Sequence, residues 1–206
     1  MQLPAGIYEV SGGLWQMSYI MPLKFSGSSV NLSKIGFLVA DPSELYRELF
    51  RRLLHGFGAK IVHEAADIAT ARRIMKDRQV DFLICAADLP RGHDGGTGAD
   101  GIELVRGIRL DAQHKQRTIP IIITMGTARR ISVGQARDSG ANFVLSKPVS
   151  SSVFYDRIVW IARSPRPFWE NDTYFGPDRR FREPGRKGAP KRRRADKGAL
   201  EVVDVG

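Results

Sequence analysis

Five times between Lys34 and Arg163 a short strand-like run is followed by a stretch with helical spacing. The runs are 35–40, 60–64, 80–85, 120–124 and 142–146. Runs this short suit strands covered on both faces, and a helix between each pair makes neighbouring strands parallel. Five β-α units therefore predict an α/β fold, a doubly wound five-stranded parallel sheet with its ligand crevice at the C-terminal strand ends.

The helical stretches carry their own punctuation. Ser43 is placed to cap a first helix on which Leu45, Leu49 and Leu53 recur at helical spacing, and Gly56 and Gly58 end it. A second spans 67–78 with Ile68, Ala71 and Met75 inward, and a third spans 100–111 with Leu104, Val105 and Ile108 on one face. A fourth runs from Arg129 to Ser139 and stops at Gly140. The last covers 151–162 with Phe154, Ile158 and Ile161, and Pro165-Arg166-Pro167 breaks it.

This pattern divides the 206 residues into a leader, 1–32, a folded domain, 33–164, and an arginine-rich tail, 165–206, which lacks apolar periodicity and is expected to be largely disordered when free. The leader is aperiodic and punctuated by Gly and Ser, so it is expected to be disordered, and Met17 or Met21 can serve as the true start. It has no basic segment followed by a continuous apolar core, and no apolar run approaches a membrane span. A cytoplasmic protein without membrane insertion is expected. The lone Cys85 excludes an intrachain disulfide, and its apolar strand predicts an inert core thiol.

Charge is unevenly placed. Of a formal net +10, a net +7 falls between Gly176 and Lys197, where ten Lys/Arg stand against three acids. Such asymmetry points to a polyanionic partner for the tail.

Over roughly residues 34–163 the order and spacing of several pieces resemble the CheY-like receiver domain of response regulators, a flavodoxin-like fold. They are Val39-Ala40-Asp41-Pro42, Leu89-Pro90, Gly98-Ala99-Asp100-Gly101, the Pro120 strand, Gly140-Ala141 and Ser146-Lys147-Pro148, with about eight residues inserted after Pro90. In that family a pair of acids after strand 1 and an acceptor aspartate after strand 3 hold Mg²⁺. A hydroxyl after strand 4 and a lysine after strand 5 contact the phosphoryl group.

On that pattern the phosphorylation site here is degenerate. Asp41 remains, but Ala40 stands beside it, Ala86 takes the acceptor position and Met125 the hydroxyl position. Val144 replaces the usual aromatic, and Lys147 alone survives of the phosphate-contacting pair. A methyl group accepts no phosphoryl group, and two of the oxygen ligands Mg²⁺ needs are gone. Asp88, or Thr124 or Thr127, would rescue the site only by a change of register. The simpler reading makes Asp88 a solvated loop residue and Lys147 the partner of Asp41 across the crevice. His93 and Asp94 in the inserted loop lack further ligands at metal-site spacing and read as surface. No metal, no cofactor and no catalytic constellation is expected, so the chain reads as a non-enzyme.

The tail contains two similar elements, Tyr174-Phe175-Gly176-Pro177-Asp178-Arg179-Arg180-Phe181-Arg182 and Gly188-Ala189-Pro190-Lys191-Arg192-Arg193-Arg194-Ala195-Asp196. A guanidinium forks to phosphate oxygens, matches O6 and N7 of guanine, and stacks on purine faces. Trp169, Tyr174, Phe175 and Phe181 offer further stacking surfaces, and Asp178 or Asp196 offers a carboxylate for guanine N–H groups. With the receiver-like pattern, this tail resembles the Cle group of CheY-like effectors, whose arginine-rich extension binds cyclic di-GMP. That resemblance implies ligand contacts from Arg179, Arg180, Arg192 and Arg193, with Tyr174 and Asp178 beside them. It further implies a signalling adaptor acting on a protein partner such as a flagellar-motor or other signalling protein. RNA or DNA is the competing polyanion, bound through phosphates. A phosphorylation-independent interaction module with a merely basic tail is the other alternative.

Overall fold

The computed structural model describes residues 7–10, 13–16, 18–19, 30–92, 100–126, 130–163, 166–171 and 173–178. In chain order the elements are β1 (Ile7–Val10), β2 (Gly13–Gln16), β3 (Ser18–Tyr19), β4 (Gly36–Ala40), α1 (Glu44–Gly56), β5 (Ile61–Ala65), α2 (Ile68–Asp77) and β6 (Phe82–Ala86). They continue with α3 (Gly101–Leu110), β7 (Ile121–Met125), α4 (Arg130–Asp138), β8 (Phe143–Ser146), α5 (Ser151–Arg163), β9 (Pro167–Asn171) and β10 (Tyr174–Pro177).

Five parallel strands form the central sheet in the order β5-β4-β6-β7-β8, with β4 flanked by β5 and β6. The apolar runs sort onto its two faces by strand alternation. Leu38, Leu83, Cys85, Ile121 and Ile123 pack under Ala71 and Met75 of α2, Leu104, Val105 and Ile108 of α3, and Val133 and Ala136 of α4. Phe37, Val39, Phe82, Ile84 and Ile122 pack on the other face under Phe50 and Leu54 of α1 and Phe154, Ile158 and Ile161 of α5. Each fully buried Phe or Leu contributes about 1.5–3 kcal/mol. The doubly wound sheet expected from the sequence is thus present.

Two details of α1 differ from expectation. Ser43 occupies the N-cap position but its hydroxyl makes no cap bond. Its amide instead donates to Oδ1 of Asp41 at 3.0 Å. The buried residues of α1 are Phe50 and Leu54, one position on from the Leu stripe, so Leu45 is 74% exposed and Leu49 37%. The larger Phe50 ring wins the core, its centre 5.0 Å from that of Phe154 with the planes tilted by 54°, and turns the adjacent row outward.

Gly101 is dictated by the start of α3. A Cβ there would lie 1.9 Å from the Ala86 carbonyl oxygen, so only glycine lets α3 abut the end of β6.

The tail expectation needs correction over 167–177. Loss of apolar periodicity after Pro165 suggested a structureless segment, yet β9 and β10 pair antiparallel, Phe168 opposite Pro177 and Phe175 opposite Glu170. Asn171 closes the turn, its side-chain oxygen accepting from the amides of Thr173 (2.9 Å) and Tyr174 (2.7 Å). A hairpin this short shows no period in sequence. Its signal is the diagonal pair Phe168 and Phe175, both buried on one face with rings 5.2 Å apart. The leader expectation is narrowed too: β1 pairs with β2, and β3 adds to β9, Ser18 opposite Phe168. Among the described residues no helix is long and apolar enough to cross a membrane.

Candidate functional site

The crevice at the C-terminal strand ends brings Asp41, Ala86, Met125 and Lys147 together. Asp41 follows β4 and is 1% exposed; Ala86 ends β6, Met125 ends β7, and both are buried. Lys147 follows β8, with its amide bonded to the Met125 carbonyl at 2.8 Å. Its Nζ lies 2.5 Å from Oδ2 of Asp41 and 4.2 Å from the centre of the Tyr46 ring. Lys147 therefore reaches across the crevice to Asp41, as the simpler reading of the sequence has it. The ammonium is held by a buried carboxylate on one side and a π face on another.

Asp88 is exposed in the loop beyond β6. Thr124 sits opposite Ala86 in the sheet, fully buried, and its hydroxyl has no hydrogen-bond partner. Thr127, His93 and Asp94 lie outside the described residues. Among the described residues no group of three His, Cys, Asp or Glu side chains is placed to hold a metal ion. Burial pushes the Cys85 thiol up to about 12, helped by the negative charges of Asp41 and Asp88, so it stays protonated and unreactive.

A second constellation sits at the other end of the sheet, where β7 and β8 begin. Arg109 is fully buried on the apolar face of α3. Its Nε donates to Gly140 O at 2.9 Å, and its terminal nitrogens donate to the carbonyls of Arg117 (2.5 Å) and Ile119 (2.8 Å) and to Oδ1 of Asn142 (3.1 Å). Carbonyl dipoles thus satisfy a cation that has no carboxylate. Burial still lowers its guanidinium to about 9. The Arg109 guanidinium lies 5.0 Å from the Phe168 ring and that of Arg117 3.6 Å from Phe175, while Glu170 bonds Arg117 at 2.5 Å. Two arginines of the domain thereby clamp the hairpin. Gly140 and Gly176 allow the approach: a Cβ on Gly140, at φ +92°, would meet the Phe175 carbonyl at 2.5 Å.

The clamp fixes where the tail starts. The Asp178 amide bonds the Pro167 carbonyl at 2.8 Å, and Tyr174 donates its hydroxyl to Pro177 O at 2.9 Å. Arg166, just before β9, stacks on Trp160 with its guanidinium 4.6 Å from the ring centre. Burial lowers Arg166, and nearby Asp178 and Tyr174 oppose that shift. Of the residues expected to hold a ligand, Tyr174 and Asp178 are thus together at the foot of the tail. Arg179, Arg180, Arg192 and Arg193 lie outside the described residues. Phe175 is withdrawn as a stacking surface for a ligand, because it is 2% exposed against Arg117.

Arg109, Arg117, Trp160 and Arg166 were not singled out in the sequence. The available signal was Arg109, four residues after Val105 on the core side of α3, where a charge needs a buried partner.

Residues 37–159 match the response regulator receiver domain model. The chemotaxis protein CheY of Pseudomonas aeruginosa is 27% identical over 121 residues, covering 59% of this chain and 90% of that protein. Chemotaxis protein CheY-3 of Vibrio cholerae is 26% identical over 121 residues, covering 59% and 86%. Among solved structures, a two-component response regulator from Clostridium difficile superposes with a TM-score of 0.54 over 64% of this chain and 98% of its own, at 21% identity, a likeness of fold alone. The matched segment stops short of β9 and β10, so the clamped hairpin is an addition to it.

Proposed function

The chain belongs to the response regulator receiver domain family, and on that premise we propose that it is a non-enzymatic, intracellular pseudo-receiver whose input is cyclic di-GMP rather than a phosphoryl group. The observation that carries the first half is the crevice itself. The acceptor position is the methyl of Ala86, and Lys147, which would contact a phosphoryl group, is already paired with Asp41. An activated phosphate entering there meets no nucleophile, no hydroxyl at Met125 and no second acid at position 40. For the ligand, support comes from the sequence of the tail, paired arginines after Gly-Pro, and from the anchoring of Tyr174 and Asp178 directly before Arg179. Binding creates or masks a surface for a protein partner. Two relatives are chemotaxis proteins, which puts a motility component such as the flagellar motor first among partner classes.

Isothermal titration of the full chain with cyclic di-GMP tests this. Micromolar binding is expected, lost in the variant with Arg179, Arg180, Arg192 and Arg193 all changed to Ala. Absence of heat, or equal binding by that variant, refutes it. The exposed Leu45 and Leu49 on α1 favour a second reading, a phosphorylation-independent protein-interaction module whose tail is merely basic or binds nucleic acid. That reading requires a partner complex indifferent to the nucleotide and to deletion of residues 179–206, and disrupted by Leu45→Glu.

A further inference from the structure

On the sheet face opposite α1 and α5, a half-open cleft of about 680 Å³ lies between α2 and α3. Ile68, Ala69 and Arg72 of α2 and Glu103 and Leu104 of α3 line it, with Arg91 and Asp100 at its rim. Ligand pockets commonly measure about 300–1,000 Å³. The cleft sits at the first turns of both helices, above the C-terminal ends of β5 and β6.

Bonds within the folded domain fix its walls. The Ile68 amide donates to the Pro90 carbonyl at 2.8 Å, and Asp67 caps α2 by accepting from the Thr70 amide at 2.7 Å. Gly92, at φ +106°, passes so close to α2 that a Cβ there would meet that of Ala69 at 3.2 Å. The floor is apolar, since Ile68 and Leu104 belong to the buried core. Both carboxylates of the cleft are already neutralised: Arg91 pairs with Asp100 at 2.5 Å, and Arg106 holds Glu103. Arg72 makes no hydrogen bond or ion pair with any described residue. The same holds for Arg73 and Lys76, which are exposed beyond it on α2.

An apolar floor beside an unpaired guanidinium suits a large apolar group that carries negative charge next to it. The cations run on past the cleft, so they match a chain of charges better than a single one. Arg72 and Lys76 are one turn apart, about 6 Å along the helix axis. Alternate side chains of an extended peptide repeat at about 6.6–6.8 Å, so carboxylates two residues apart meet both cations. We infer that the α2–α3 cleft docks an extended acidic segment of a partner protein. One large apolar side chain of that segment sits on Ile68 and Leu104, and its carboxylates lie along Arg72 and Lys76. The inference goes beyond the cyclic di-GMP reading and stands or falls without it, because no residue of the cleft belongs to the tail.

The test is amide NMR of the full ¹⁵N-labelled chain, without nucleotide, titrated with N-acetylated, amidated pentapeptides. The first has Phe at its centre and Asp at every other position. A second replaces the Phe by Ser, and a third replaces the Asp residues by Lys. The Phe–Asp peptide is expected to bind in the millimolar range, as so few contacts allow, and to shift the amides of Ile68, Ala69, Arg72 and Leu104. Replacing its ring by Ser weakens binding roughly tenfold or more. Arg72→Gln weakens it roughly two- to fivefold. Ala69→Trp, which fills the cleft from an exposed position, abolishes the shifts. Lys60→Gln removes an exposed charge before β5 and changes affinity by under about twofold. Each variant is first shown to melt within a few degrees of wild type, with Ala69→Met replacing Ala69→Trp if the latter is unstable. Absence of shifts, equal binding by the Ser or Lys peptide, or undiminished binding by Ala69→Trp overturns the inference. Binding of free 3-phenylpropionate as tight as that of the peptide makes the occupant a small carboxylate and overturns it too.

Discussion

Replacing Lys147 by Met leaves a carboxylate, 1% exposed, without its cation. Methionine fills the volume of the lysine stem, so the change isolates the charge. Asp41 then keeps one bond, from the Ser43 amide at 3.0 Å. Removal of one partner from a buried ion pair costs about 3–5 kcal/mol, and that loss is expected in Lys147→Met. The companion variant, Asp41→Asn with Lys147→Met, keeps an acceptor for the Ser43 amide and removes both charges, so it returns to within about 1.5 kcal/mol of wild type. Urea unfolding followed by far-ultraviolet circular dichroism measures all three proteins. A Lys147→Met deficit under about 1 kcal/mol refutes the argument that this pair is buried and coupled.

Three further outcomes follow from the same geometry. Ala86→Asp alone should not restore phosphorylation, because Met125 supplies no hydroxyl and Lys147 is held by Asp41; beryllofluoride with Mg²⁺ should leave its amide spectrum unchanged. Thr124→Val removes a buried hydroxyl that has no partner, so stability should be unchanged or rise by up to about 1 kcal/mol; a loss above that would reveal an unseen bond. Phe168→Ala should release the hairpin, speeding hydrogen exchange across 167–177 while the strands of the central sheet stay protected, and uniform deprotection would refute a separable clamp.

The fold was legible because the inner strands of a parallel sheet, buried on both faces, need apolar runs, as at 36–40, 82–86 and 121–125, and the helices that cover it need one apolar stripe each. Those constraints are local, and the edge strand 61–65, with His63 and Glu64 in it, carries only part of them. The placement of Asp41, Ala86, Met125 and Lys147 was legible for the same reason: they sit at strand ends, and strand ends are set by the alternation of elements. Which row of α1 faced inward was not, since Leu45 and Phe50 compete on adjacent rows and only the Phe154 ring opposite decides between them. The hairpin was hidden because four- and five-residue strands carry no measurable period and draw their stability from across the chain, through Arg109 and Arg117.

The amino-acid sequence by itself determined that this chain builds the receiver sheet and that the side chain at position 86 is a methyl group, because identity at a position needs no third dimension. Only the tertiary structure decided that Lys147 is bound to Asp41 and that the tail begins from a clamped hairpin. Those facts depend on side chains up to 106 residues apart in the chain meeting within hydrogen-bond range. Such encounters are set by the packing of helices on a sheet, and no local pattern encodes them.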